Sequence, residues 1–313
     1  MSIRTDLALE ACELYTECKK IKEEKTDGIY EDVQKTDGIT KTKIKITNKN
    51  GERALNKPKG TYVTIEAPNI KYDTEIYEKV CIMLAEEIRA MAKIENKTKT
   101  LVTGLGNSRI TPDALGPEVI ARLMITNHMK EHMKDLFCDD ITAVCAIAPG
   151  VLGTTGIETA EIVKGVVQQV CPDLVIAIDA LASRSLDRIS TTIQLSDTGI
   201  NPGAGVGNRR EGLNEETLGV KVIAIGVPTV VDAATIASDC IDMALKNKNH
   251  QVADDDDKNT LIKNEISKNI GVLMVTPKDI DMVIEKTAKT IANGINLALH
   301  KNLTFGDIES YVG

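Results

Sequence analysis

The chain has 313 residues, of which 42% are hydrophobic, 27% charged and 3% aromatic, and its formal net charge is −8. These fractions are typical of a water-soluble globular protein, and the acidic excess argues against broad phosphate neutralisation on nucleic acid. No apolar run approaches the roughly 20 residues that span a bilayer, and the first residues lack the apolar stretch of a signal peptide. Seven cysteines without a CxxC pair predict reduced thiols in a cytoplasmic compartment.

The N-terminal part of the chain is predicted to form a small β elaboration, residues 25–68, after a weak helical pattern at 7–24. Within it, TKTKIKIT (41–48) and GTYVTIEAP (60–68) are rich in β-forming residues and predict a strand pair. From Ile76 to Met91, apolar residues recur every three or four positions, which predicts an amphipathic helix.

From residue 99 onward, short apolar segments alternate with longer helical ones. The predicted strands are 99–104, 141–148, 174–178, 221–227 and 271–276, and the predicted helices are 112–134, 157–170, 230–247 and 278–299. This alternation predicts an α/β fold with a mainly parallel sheet and helices on both faces. Residues 248–268, which contain the run DDDDK, are interpreted as a surface loop.

Two aspartates follow predicted strands, where an open parallel sheet gathers reactive groups. Asp113 comes after Thr111-Pro112, a pair typical of a helix start, so it could serve only to complement a helix dipole. Asp179 closes the apolar run LVIAI, where burying a lone carboxylate is costly. If the two act together, a helix N-terminus would favour ionised Asp113 as the resting base, and desolvation would favour protonated Asp179 as the resting acid.

Two other kinds of site remain open at this point. GLGNSR (104–109) begins like a dinucleotide motif, but Arg109 stands where the third glycine would be. Its glycines are interpreted as tight turns around a site, which is compatible with a non-catalytic α/β ligand-binding protein. His128, Glu131 and His132 fit the inverted zinc-protease pattern HxxEH on a predicted helix, so a zinc metalloprotease is the other alternative.

At these residues the sequence resembles the spore germination protease family. The matching segments are IRTDLALEA (3–11), YVTIEAP (62–68), GLGN (104–107), TPDALGP (111–117), APGVLGTTGIET (148–159), PDLVIAIDALASRS (172–185), TTIQLSDTGINPGAGVGN (191–208) and VIAIGVPTVVDAATIASD (222–239). The resemblance implies an α/β fold related to hydrogenase-maturation proteases. It also implies a homotetrameric endopeptidase of the spore core that initiates degradation of small acid-soluble spore proteins during germination. We expect no cofactor, metal, nucleic-acid or membrane partner.

The resemblance also implies site residues. The two catalytic aspartates proposed for the family map onto Asp113 and Asp179, which favours an aspartic-type mechanism over a zinc-dependent one. Because family substrates carry acidic residues on both sides of the cut, we expect positive charge at the site from Arg184, Arg209 and Arg210.

Family substrates are cut within Thr/Ser-Glu, a large apolar residue, Ala, a variable residue and Glu. Residues 5–10, TDLALE, match this motif with Asp6 in place of Glu. The resemblance therefore implies a zymogen in which residues 1–6 are a propeptide that is removed by cutting Asp6–Leu7. Residues 7–313 are then expected to form a single protease domain.

Overall fold

A computed structural model describes residues 5–20, 27–95, 97–132, 141–201, 211–237, 240 and 273–312. The strands in this part of the chain are β1 (Ile29–Thr36), β2 (Ile39–Ile46), β3 (Gly60–Glu66), β4 (Lys99–Gly104), β5 (Ala143–Ile147), β6 (Leu174–Ser183), β7 (Thr192–Ser196), β8 (Lys221–Asp232) and β9 (Met274–Val275). The helices are α1 (Ala8–Lys20), α2 (Lys49–Leu55), α3 (Thr74–Ala92), α4 (Leu115–Ile120), α5 (Asn127–His132), α6 (Leu152–Thr155), α7 (Thr159–Val170), α8 (Glu215–Leu218), α9 (Ile280–Leu299) and α10 (Phe305–Val312).

The described strands form one mixed sheet in the order β1-β2-β3-β7-β8-β6-β4-β5, with β9 paired to β8. Strands β5, β4, β6 and β8 are parallel, so the α/β prediction is confirmed for this half. The N-terminal strands are present as predicted, but they extend the same sheet in antiparallel fashion because β3 pairs with β7. The inner residues of β3 are buried on both faces, which suits a central strand.

Several predicted boundaries differ from the observed ones. The predicted helix 112–134 is broken, because Thr126 leaves the helical path to hydrogen-bond with Thr142 and Val144 beside β5. The predicted helix 230–247 starts later, because β8 continues to Asp232 in pairing with β6. The predicted surface loop 248–268 lies outside the described residues.

Helices cover both faces of the sheet, as predicted. On one face, α3, α4 and α9 bury side chains against Val102, Ile176 and Ile223. On the other face, α7 and α8 pack against Leu101 and Val175. Helices α1 and α2 pack on the β2–β3 end of the sheet through a separate cluster. None of the described helices is long and apolar enough to cross a membrane.

Candidate active site

The candidate site lies at the carboxyl ends of the parallel strands, where β4 stops and β6 continues. Pairing of β4 with β6 ends at Gly104 and Ile178, whereas β6 stays paired with β8 from Asp179 to Ser183. The prediction that Asp179 closes its strand is therefore wrong, because β8 is long enough to extend β6. Asp179 is instead the first residue of β6 beyond the end of β4. In open parallel sheets, ligands bind in the crevice at such a strand end.

Asp113 reaches the same place from the loop after β4. It ends a 3-10 turn, Thr111–Asp113, that packs against β6 and β8. Its Oδ2 accepts a hydrogen bond from the backbone N–H of Asn107 at 2.8 Å. Gly106 has a φ of +108°, and a Cβ at this residue would lie 2.0 Å from the Asp113 carbonyl oxygen. The glycine therefore allows the loop to close on Asp113, as the sequence predicts for a turn around a site.

The two aspartates line one cavity of about 530 Å³. Residues from the N-terminal segment, the sheet and the loops also contribute to its wall, among them Asp6, Lys57, Tyr62, Pro112, Leu181, Gln194, Ser196, Asn201, Asn214, Gly226 and Thr276. Asp179 is 6% exposed, and its Oδ1 accepts a hydrogen bond from the backbone N–H of Ala180 at 2.9 Å. The structure thus brings Asp113 and Asp179 to a shared cleft.

The sheet supplies the floor of this cavity. Gly226 of β8 is paired with Asp179 on one side and with Gln194 of β7 on the other. Residues paired across neighbouring strands point to the same face of a sheet, so Asp179 and Gln194 flank Gly226 on the cavity side. The space that a side chain at Gly226 would need is taken by Leu181.

The N-terminal segment passes through the wall of the cavity. The Asp6 N–H donates to the Ala182 carbonyl at 3.0 Å, and the Ala182 N–H donates to the Asp6 carboxylate at 2.9 Å. The Asp6 carbonyl oxygen accepts from Lys57 Nζ at 2.7 Å and from Gln194 Nε2 at 3.3 Å. Leu7 is fully buried. The predicted processing bond, Asp6–Leu7, is therefore held at the wall that the two aspartates also line.

Glu10, in the first turn of α1, anchors the other end of the N-terminal segment. It is 2% exposed, and its carboxylate accepts from the backbone N–H groups of Arg184 at 2.8 Å and Ser185 at 3.0 Å. The Arg188 guanidinium lies 3.3 Å from the same carboxylate and also pairs with the more exposed Glu13. The loop after β6 therefore forms a binding site for one carboxylate.

Burial sets the electrostatics of the Asp6–Lys57 pair. The residues keep some exposure through the cavity, but their charged ends are largely surrounded by protein. Burial raises the pKa of Asp6, against the Ala182 hydrogen bond and the charge of Lys57, which lower it. Burial also lowers the pKa of Lys57, whereas the negative charges of Asp6 and Glu10 raise it. Each charge is therefore poorly hydrated and depends on its protein partners.

Of the three predicted substrate-binding arginines, the structure describes only Arg184. Arg184 meets Glu10 through its backbone N–H, and its side chain is not part of the cavity wall described above. Arg209 and Arg210 lie outside the described residues.

The zinc alternative receives no additional ligand from the structure. His128 lies on the short helix α5, which packs beside β5. Within the residues that the structure describes, no three His, Cys, Asp or Glu side chains cluster as metal ligands would. The side chain of His132 is not among those described, so the pairing of these histidines stays a prediction.

Sequence reasoning missed three residues of this site: Lys57, Gln194 and Arg188. None of the three left a signal in the sequence. Gln194 lies in TIQLS, where three of the five residues are polar, so its burial could not be read from the pattern. Lys57 and Arg188 each stand in a polar segment with other charged residues nearby.

A family model described as germination protease matches this chain over residues 8–261 and 249–312. The germination protease of Clostridium tetani (strain Massachusetts / E88) is 49% identical over 329 aligned residues, which cover 100% of both chains. The germination protease of Bacillus subtilis (strain 168) is 40% identical over 355 residues, covering 99% of this chain and 96% of its own.

Among solved structures, the nickel–iron hydrogenase maturation protease HycI of Thermococcus kodakarensis KOD1 is 18% identical and has a TM-score of 0.35. The match covers 68% of this chain and 98% of that one.

Proposed function

The chain belongs to the germination protease family, and from this membership we propose an endopeptidase that initiates the degradation of small acid-soluble spore proteins during spore germination. The observation that carries the proposal is the shared cavity. It is lined by Asp113, by Asp179 and by Asp6, whose carbonyl belongs to a bond of the expected cleavage motif. The enzyme would act in the cytoplasm of the spore core, as a homotetramer.

We propose that Asp113 and Asp179 act as a coupled pair. One carboxylate, ionised, takes a proton from the attacking water, and the other, protonated, donates one to the leaving amine. Two interacting carboxylates cannot both ionise cheaply, so such a pair would titrate in two separated steps. The burial of Asp179 supports its assignment as the acid and that of the less buried Asp113 as the base. Each carboxylate accepts a backbone N–H hydrogen bond, so these bonds do not distinguish the two roles.

We propose further that the chain is made as a zymogen with residues 1–6 as its propeptide. The segment from Thr5 to Glu10 would occupy the cleft as a tethered substrate until Asp6–Leu7 is cut. Support comes from its contacts: the carbonyl of Asp6 is bound by two side chains, Leu7 is buried, and Glu10 is held by three donors of the loop after β6.

The same contacts suggest how acidic substrate residues are recognised. The residue before the cut would meet the Ala182 N–H and Lys57, as Asp6 does. The acidic residue four positions after the cut would meet Arg188 and the two backbone N–H groups that now hold Glu10. Arg184, Arg209 and Arg210 remain proposed contributors of positive charge to substrate binding.

The proposal is tested by hydrolysis of a peptide containing Thr-Glu-Leu-Ala-Leu-Glu, with and without a chelator. Wild type, Asp179→Asn and the control Asp281→Asn are compared, since Asp281 is exposed on α9 and is not among the residues that line the cavity. We expect hydrolysis that survives chelation, is lost in Asp179→Asn and is unchanged in Asp281→Asn. Loss of hydrolysis on chelation and in His128→Ala would instead support the zinc enzyme. Peptide binding without any hydrolysis would support the ligand-binding alternative.

A further inference from the structure

The carbonyl of Asp6 is bound in an unusual way for a backbone group. Two side chains from distant parts of the sequence converge on it, Lys57 through Nζ at 2.7 Å and Gln194 through Nε2 at 3.3 Å. Backbone carbonyls are mostly satisfied by other backbone groups or by water. Gln194 also accepts the Ala8 N–H through Oε1 at 2.6 Å, so one amide holds the peptide groups on both sides of Leu7.

The fold sets the backbone position of both donors. Lys57 follows the end of α2, where Asn56 adopts a left-handed conformation and the Lys57 N–H donates to the Glu52 carbonyl at 3.3 Å. Gln194 is part of β7 and shares a row of paired residues with Asp179 through Gly226. The more of a donor pair that the fold positions in advance, the less reorganisation is needed when charge develops on the oxygen that the pair holds.

We propose that Lys57 and Gln194 form the oxyanion-binding site of this protease, and that Lys57 is a third catalytic residue beside the two aspartates. The inference rests on the proposed function, because it takes Asp6–Leu7 as a bond that the enzyme cuts. In processing, the pair binds the Asp6 carbonyl oxygen. In hydrolysis of other chains, it binds the carbonyl oxygen of the residue before the cut.

The chemistry balances without any additional reactant. A water oxygen bonds to the carbonyl carbon while one water proton moves to the ionised carboxylate of the aspartate pair. The electron pair of the C=O π bond moves onto the oxygen, which Lys57 and Gln194 hold as an oxyanion. When the C=O bond re-forms, the C–N bond breaks and the nitrogen takes a proton from the carboxylic acid of the pair. The products are a carboxylic acid at Asp6 and an amine at Leu7, which exchange a proton to give a carboxylate and an ammonium group, while the aspartate pair again holds one proton.

The surroundings make the lysine effective in this role. It faces the carboxylates of Asp6 and Glu10, and it shares the cavity with Asp113 and Asp179. An ammonium group that has little water around it interacts more strongly with a neighbouring oxyanion than a hydrated one does. Because burial lowers the pKa of Lys57, its charge is lost at a lower pH than that of an exposed lysine. The rate of cleavage should therefore have an alkaline limb that reports on this residue.

The test compares full-length Lys57→Met, Lys57→Arg and the control Lys59→Met, whose side chain is exposed two residues away. Appearance of the Leu7 N-terminus is followed by mass spectrometry, and exchange of the Leu7 and Ala8 amides reports whether the segment stays docked. We expect Lys57→Met to process about 10²–10³ times more slowly with undiminished amide protection, as for loss of one oxyanion donor. Lys59→Met should match wild type. Lys57→Arg should retain much of the rate and move the alkaline limb to higher pH.

Two results would overturn the inference: processing of Lys57→Met at the rate of Lys59→Met, or a slower rate that follows an equal loss of amide protection. The second would show that the lysine only docks the segment. Asp179→Asn, measured alongside, separates this inference from the proposed function. If Asp179→Asn is processed at the wild-type rate, the aspartate mechanism is wrong. If Asp179→Asn is not processed while Lys57→Met is processed at the rate of Lys59→Met, only the inference about Lys57 fails. The same order of rates among these variants is expected when they hydrolyse the separate Thr-Glu-Leu-Ala-Leu-Glu peptide.

Discussion

Asp179 and Gln194 lie on the same face of the sheet, in one row of paired residues with Gly226 between them. Neighbouring strands lie about 4.8 Å apart, so the Cα atoms of the two residues are roughly 10 Å apart. Asp179 is the proposed acid, and Gln194 binds the carbonyl oxygen of Asp6 at the proposed cleavage site. The register of three strands therefore sets the distance between the proposed catalytic carboxylate and the bond that it would act on.

Glu10 should determine how firmly the N-terminal segment is docked. Glu10→Gln keeps the shape of the side chain but removes a charge that is held by Arg188 and two backbone N–H groups. We expect docking to weaken by about 1–3 kcal/mol. Exchange of the Leu7 to Leu9 amides measures this loss. Glu13→Gln is the control, since Glu13 pairs with the same arginine at the surface, where an ion pair contributes about 1 kcal/mol or less. Equal effects of the two substitutions would contradict the prediction.

Asp6 should make the chain a slow substrate of itself. Its carboxylate is one methylene shorter than that of the glutamate expected before the cut. A mismatch of one methylene lowers the rate roughly 10–200-fold, so Asp6→Glu should process faster by a factor within this range. The rate of formation of the Leu7 N-terminus is the measurement, with Asp6→Asn as a variant that keeps the length but lacks the charge. A Glu variant that processes no faster would refute the argument.

Docking of the segment should depend on pH through Asp6. Burial raises the pKa of its carboxyl above the ordinary value of 3.8. The docked form then binds more protons than the released form between 3.8 and the raised pKa. Docking is therefore strongest below this window and weakens as the pH rises through it. Amide exchange at residues 7–9, measured across a pH series, should show the change. Asp6→Asn should flatten it, and a variant with the wild-type pH dependence would refute the assignment to Asp6.

Gly106 should be required for the position of Asp113. Gly106→Ala places a Cβ 2.0 Å from the Asp113 carbonyl oxygen at a φ of +108°. We expect the free energy of unfolding to fall by about 1–3 kcal/mol or more, and processing to become slower. Gly165→Ala on α7 is the matched control, because it meets no atom within 4 Å. It should stabilise the protein by about 0.5–1 kcal/mol, as seen for exposed helix positions. Thermal unfolding distinguishes the two.

The sequence predicts where the parallel strands lie, because each contains a short apolar run, but it misses the extension of β6 to Ser183 and of β8 to Asp232. Lys99–Gly104 was predicted with the observed bounds. Strand β1 was not predicted, since nearly all of its residues are exposed and no apolar alternation marks it. It is held instead by its register with β2, across a hairpin turn in which Asp37 and Gly38 have positive φ.

The candidate site was predictable only in part. Asp113 and Asp179 could be placed because each follows a predicted strand in a parallel sheet, and the shared cavity agrees with that placement. Lys57 and Gln194 could not be placed, because they meet the Asp6 carbonyl only through antiparallel pairing of β3, β7 and β8. Local periodicity carries no information about such long-range register.

The most direct test of the account is the N-terminus of purified full-length protein after prolonged incubation with a chelator. Mass spectrometry should show a new N-terminus at Leu7 in wild type and in Asp281→Asn, and an intact chain in Asp179→Asn. An Asp179→Asn protein that is cut between Asp6 and Leu7 at the wild-type rate would contradict the central claim that the aspartate cavity cuts this bond.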